Sequence, residues 1–190
     1  EADELLSIKN DANYKVQVHP TYSAFRFQHM DKEEARRQLF VPMDKRLLLF
    51  FGYVREYKGL KHLIDAMGIL EKEENGQAPE LYVVGDFDGN KEAYLEQIQE
   101  LGVKDRITIV DGYVPDREVE KYFAASDLVV LPYESATQSG IVQIAYGFRK
   151  PVIVTNVGGL PEVVQDDRTG MIVEPGNAGQ LTAAIRRFFD

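Results

Sequence analysis

Hydrophobic residues along the chain fall into two alternating kinds of run. Six short, β-rich apolar runs stand out: Leu47–Phe51, Leu81–Val84, Ile107–Val110, Leu128–Leu131, Val152–Thr155 and Met171–Val173. Between most of them the apolar positions recur every three or four residues, the helical period. Leu60, Leu63, Ile64, Met67 and Leu70 form the first such stripe, and Leu95, Ile98 and Leu101 the second, with Gly102 as a stop. Val119, Tyr122 and Phe123 form the third behind Asp116 as expected N-cap, and Leu181, Ala184, Ile185 and Phe188 the last. Asn177 and Gln180 have the spacing of a capping box for that final helix.

Strands that alternate with helices, and that are apolar throughout, describe a parallel sheet covered on both faces. The expected fold is therefore α/β, a doubly wound parallel sheet of Rossmann-like type with ligands at the carboxyl ends of its strands. The first 45 residues depart from this rhythm. Val16-Gln17-Val18-His19-Pro20 reads as extended, because a residue before proline avoids the helical region. Asp31 and Glu34 are placed to cap a short helix through Leu39, ending before Pro42.

Composition narrows the function classes. The 190 residues suffice for one buried core, with 44% hydrophobic and 28% charged residues. A net charge of −9 is the wrong sign for a nucleic-acid binder and argues against a basic membrane patch. The absence of cysteine excludes disulfides, a thiol nucleophile and thiolate metal sites. His19, His29 and His62 are too scattered to suggest a metal cluster, and neither a metal nor a cofactor is expected. The start Glu1-Ala2-Asp3-Glu4-Leu5 has neither an initiator Met nor the order of a signal peptide, and suggests a chain cut from a longer one.

Three segments at strand ends carry candidate chemistry. The loop Gly52-Tyr53-Val54-Arg55-Glu56-Tyr57-Lys58-Gly59 leaves the first strand and enters the first long helix. Lys58 there reads either as an ordinary solvated lysine or as a cation for an anionic ligand. The turn Thr137-Gln138-Ser139-Gly140-Ile141 opens a helix after the fourth strand, where free N–H groups and the helix dipole suit a diphosphate; the same residues also fit a plain cap. Gly158-Gly159-Leu160-Pro161-Glu162 follows the fifth strand, and Glu162 also suits the start of a short helix. Gly85-Asp86 reads as a plain turn or as a close approach to a ligand, and Tyr113 in Gly112-Tyr113-Val114-Pro115 is expected to be half-buried packing.

Together these segments resemble the donor-binding half of a family 4 glycosyltransferase (glycosyl transferases group 1) of the GT-B fold. The resemblance spans Pro42 to Asp190 and implies residues 42–190 as a Rossmann-like nucleotide-sugar-binding domain. Residues 1–41 then form a connector, with a short helix, from a missing N-terminal domain that holds the acceptor. In the family pattern Gly-Arg-x-x-x-x-Lys-Gly, the Arg and Lys hold the donor phosphates. Gly52, Lys58 and Gly59 match it, whereas Tyr53 replaces the Arg and Arg55 lies two residues on. The family's Glu-x7-Glu carboxylates fall at Ala136 and Ile144 and are absent.

The resemblance implies Lys58 and Arg55 as catalytic residues, stabilising the leaving diphosphate during transfer of a sugar with retention. It implies Gly52, Tyr53, Gly85, Tyr113, Val114, Thr137, Gln138, Ser139, Gly140 and Ile141 as substrate-binding residues, with the loop at Tyr113 beside the base. A metal-bridged diphosphate, as in the other major transferase fold, is not expected. The implied setting is cytoplasmic, peripheral to the inner membrane face at most and then through the absent half. A sugar-nucleotide epimerase of the same architecture and a degenerate, non-catalytic partner domain remain as alternatives. A dinucleotide-dependent oxidoreductase is disfavoured, since no Gly-x-Gly-x-x-Gly follows the first strand.

Overall fold

A computed structural model describes Phe25, residues 29–74 and residues 76–190; the extended segment expected at Val16–Pro20, with His19, lies outside them. Six strands form one sheet: β1 (Leu47–Phe51), β2 (Glu80–Gly85), β3 (Ile107–Asp111), β4 (Leu128–Leu131), β5 (Val152–Thr155) and β6 (Gly170–Val173). All neighbouring pairs are parallel, in the order β3-β2-β1-β4-β5-β6. Among the described residues the helices are α1 (Lys32–Leu39), α2 (Leu60–Glu73), α3 (Lys91–Glu100), α4 (Asp116–Ala125), α5 (Gly140–Gly147), α6 (Leu160–Val163) and α7 (Ala178–Phe189).

Side chains alternate across each strand, so the sheet feeds two cores. Leu48, Phe50, Leu81, Val83, Leu128, Val130 and Ile153 pack with α2 and α7 on one face. Leu49, Phe51, Val129, Leu131, Val152 and Val154 pack with α4 and α5 on the other. β1, β4 and β5 are buried at every position, whereas β3 at the edge is only partly covered. That is the physical reason the apolar runs are continuous.

The five residues of the first helical stripe are all fully buried in α2. The cap expected at Asp31 forms, its carboxylate accepting from the Glu34 N–H at 2.8 Å, and Asn177 accepts likewise from Gln180 at 2.9 Å. Two local expectations fail. Asp116 is the first residue of α4 rather than its cap; Pro115 holds that position with no side-chain hydrogen bond. In α3 the buried positions are Tyr94 and Ile98, and Leu95 is exposed, because helix packing admits the larger ring beside Phe87.

Arg36 of α1, wholly buried, was not anticipated. Its guanidinium donates to the carbonyls of Ala125, Pro42, Met43 and Lys45 and to Asp127 at 2.9 Å. Asp127 also accepts from the Leu47 N–H, so one ion pair ties α1, α4 and the start of β1 together. Among the described residues no helix is long and apolar enough to cross a membrane.

Candidate functional site

The strand order reverses between β1 and β4, the two strands whose successors wind to opposite sides. Loops leaving the carboxyl ends of such a pair diverge and open a crevice between them. Here these are the loop after β1, ending in a single 3-10 turn at Glu56–Lys58, and the loop after β4 that enters α5. The Tyr57 carbonyl accepts from the Glu134 N–H at 2.7 Å and binds the two loops together. The Tyr57 and Tyr133 rings meet edge to face, 6.2 Å apart.

A cleft of about 610 Å³ lies there, lined by Tyr57, Lys58, Tyr133, residues 135–141 and Ile144. That is the size range of small-molecule sites. Among the described residues Lys58 is its single charged lining residue. Its side chain is 8% exposed and, among the described residues, makes no ion pair or hydrogen bond. The ordinary solvated lysine is therefore ruled out. Burial, reinforced by the nearby Arg55 charge, pulls its pKa down from 10.5 to about 8. A methyl group at Gly52 would stand 3.2 Å from Lys58 Nζ and 3.4 Å from Ile141 Cδ1, so glycine leaves the ammonium room against α5.

Ser139 occupies the cap position of α5 but its side chain makes no capping bond. The first N–H groups of a helix have no intrahelical partner, so those of Gly140, Ile141 and Val142 stay open to an acceptor. The turn before them is braced from behind. Gly158 sits at φ +51, and a Cβ there would fall 1.6 Å from the Ala136 carbonyl oxygen. The Gly159 N–H donates to the Thr137 carbonyl at 2.8 Å.

The anticipated residues divide into groups. Lys58, Thr137, Gln138, Ser139, Gly140 and Ile141 line the cleft together, and Gly52 lies against Lys58. Arg55 and Tyr53 stand outside it, the guanidinium 4.8 Å above the Tyr53 ring and 3.7 Å from Asp88. Gly85 serves packing: its Cβ would meet the Gly52 carbonyl at 2.0 Å. Tyr113 is 79% exposed, which corrects the expectation of half-buried packing; Gly112 at φ +119 turns the chain outward there. Val114 packs against the core, and Glu162 is an exposed residue of α6.

Glu134, outside the lining, holds Lys61 and His62 at 2.8 and 2.7 Å, and those hydrogen bonds keep its carboxyl below the usual range. Asp86-Phe87-Asp88 lies directly beyond β2, with Asp88 3.7 Å from Arg55. Tyr57 and Tyr133 were not singled out, since their approach depends on the β1–β4 pairing, nor was Gln143, which meets the Gly159 turn through the β4–β5 pairing. A second cleft of about 560 Å³ lies at the opposite ends of the strands, but its Arg46, Arg106 and Arg186 are each paired with a glutamate.

Residues 31–190 match the family described as glycosyl transferases group 1. The D-inositol 3-phosphate glycosyltransferase of Paenarthrobacter aurescens (strain TC1) is 29% identical over 192 residues, covering all of this chain and 47% of that protein. Sucrose-phosphate synthase from Thermosynechococcus elongatus superposes with a TM-score of 0.83 at 24% identity, over 99% of this chain and 47% of that one. Anabaena Alr3699/HepE, solved in complex with UDP, gives 0.77 at 25% identity, over 92% and 47%. The chain thus spans about half the length of these relatives.

Proposed function

Since the chain belongs to the glycosyl transferases group 1 family, we propose that it is the half of a two-domain retaining glycosyltransferase that binds a nucleotide-diphosphate sugar. The observation that carries this reading is Lys58, a buried cation without a counter-ion among the described residues, facing the open N-terminus of α5 across the cleft. A buried charge is costly unless it is paired, and a diphosphate is the partner both elements suit.

In transfer, the bond between the anomeric carbon and the diphosphate breaks and negative charge gathers on the leaving oxygen. Lys58 and the N–H groups at the start of α5 stand ready to stabilise that charge, with no reorganisation needed at the moment of reaction. Arg55 supplies a second cation once it leaves Asp88. The acceptor and the groups that orient it belong to the other half of the protein, so this half by itself binds nucleotide without turning over. The solved complex of Anabaena Alr3699/HepE with UDP makes UDP the first ligand to try.

Calorimetry with UDP, UDP-glucose, a GDP-sugar and NAD tests the reading. Binding of a nucleoside diphosphate that Lys58→Ala weakens at least tenfold is expected. Binding of NAD alone, or of UDP unaffected by Lys58→Ala, overturns it.

A further inference from the structure

Gln143 is 6% exposed, yet among the described residues its amide takes part in no hydrogen bond. It lies one turn along α5 from Ser139 and therefore shares a helix face with it. Between α5 and the Gly159 turn is a recess of about 10 Å³, lined by Gln138, Ser139, Gln143, Gly159 and Val163. Gln138 and Ser139 line the large cleft as well, so the recess is a side chamber of the proposed donor site. Its volume is that of one oxygen atom with its hydrogens.

Among the described residues only Glu74 Oε1 is a fully buried polar side-chain atom without a partner, so the Gln143 amide is not sealed off and, making no hydrogen bond of its own, stays open to a ligand. No carboxylate among the described residues lines the cleft beside it, and Ala136 and Ile144 present only apolar groups. Of the two glutamine amides near the turn, Gln138 is exposed and Gln143 is held by packing. A side chain already immobilised loses little freedom when a ligand arrives, so Gln143 is the better placed to discriminate.

We propose that Gln143 is a specificity-determining residue, whose amide, together with the Ser139 hydroxyl, takes one hydroxyl of the donor's sugar in this recess. The inference rests on the reading of the cleft as a nucleotide-sugar site and deepens it. A neutral amide both donates and accepts, so it reads a hydroxyl in either sense, whereas it offers an anionic group no charge. The sugar is accordingly one with a free hydroxyl at the position that enters the recess.

The test compares UDP with UDP-glucose, UDP-galactose and UDP-N-acetylglucosamine on the full-length protein and on Gln143→Leu. The tightest sugar is then followed through its monodeoxy analogues. Wild type should bind one monodeoxy analogue about tenfold more weakly than its parent. Gln143→Leu should bind UDP unchanged, lose about tenfold for the sugar nucleotide, and no longer distinguish the analogue. Its thermal midpoint should hold, because the amide makes no hydrogen bond whose loss would weaken the fold. If the branched side chain prevents folding, Gln143→Met, unbranched and of similar length, takes its place.

Equal weakening of UDP and UDP-sugar, or a midpoint lowered by several degrees in both variants, would mean that the amide supports the turn through a bound water and would overturn the proposal. Failure of wild type to bind any nucleotide would instead sink the underlying reading of the cleft, and this one with it.

Discussion

The Lys58 ammonium lies 5.7 Å from the centre of the Tyr133 ring and has no closer compensation for its charge among the described residues. Tyr133 is itself buried, and burial pushes its phenol up to about 12, so it stays neutral and offers only a ring face and a hydroxyl. A cation over an aromatic ring recovers part, not all, of the hydration lost on burial. The site holds this imbalance in readiness for an anion.

Removing the charge should therefore stabilise the protein and disarm the site together. A depression from 10.5 to about 8 corresponds to roughly 3 kcal/mol disfavouring the charged form, at about 1.4 kcal/mol per unit. Lys58→Met is expected to raise the thermal midpoint by several degrees and to weaken UDP by tenfold or more. Differential scanning fluorimetry alongside calorimetry checks both; a lowered midpoint contradicts the account.

The pH dependence follows from the same group. Between about 8 and 10.5 the unfolded chain holds the Lys58 proton and the folded chain has lost it, so stability rises through that window. Below about 8 both states are protonated and the penalty is constant. Affinity for a diphosphate runs the other way, flat below about 8 and falling above it. Lys150, likewise pulled down to about 8 by burial and then by Lys32, contributes in the same window, so the Lys58 share is the difference between wild type and Lys58→Met.

Arg55 and Tyr53 can be separated by mutation. With the guanidinium 54% exposed and shared between the Tyr53 ring and Asp88, folding does not depend on it. Arg55→Ala should lower transfer by the full-length protein well beyond the effect of Tyr53→Phe, with unchanged midpoints. Equal, small losses would remove Arg55 from the site.

Gly158→Ala should displace the Ala136–Gln138 backbone, because its Cβ position overlaps the Ala136 carbonyl oxygen and the backbone there is left-handed. UDP binding should fall with the midpoint. Gly102→Ala meets nothing within 4 Å at a comparable positive φ, so it should cost only about 1 kcal/mol of strain and leave binding intact.

Arg36→Lys should be among the most damaging substitutions away from the cleft. A lysine cannot span the four carbonyls and Asp127 at once, and leaving buried partners unmet costs roughly 3–5 kcal/mol. Urea unfolding would show a midpoint shift of that size with an unchanged slope.

The six strands were legible as short apolar runs and α2, α4 and α7 as helical stripes, because burial against a sheet imposes those periods, whereas α1, α5 and α6 were read from cap and turn residues. Lys58 was legible as a candidate from its loop, but not its burial, which depends on Gly52, Tyr133 and Ile141 arriving from separate elements. Tyr113 was misjudged for the complementary reason: an aromatic residue after a strand usually packs, and only the Gly112 turn directs it into solvent. Arg36 gave no signal, since five acceptors from two segments, 42–45 and 125–127, meet only in the folded state.

Local order along the chain thus determined the elements, their sequence and the sheet edge where chemistry is expected, since these follow from periodicity and turn residues. Tertiary structure alone decided which loops face one another and, among the described residues, which lysine and which amide beside the cleft lack a partner. Burial and pairing are properties of surfaces brought together from distant positions, and no short stretch of sequence encodes them.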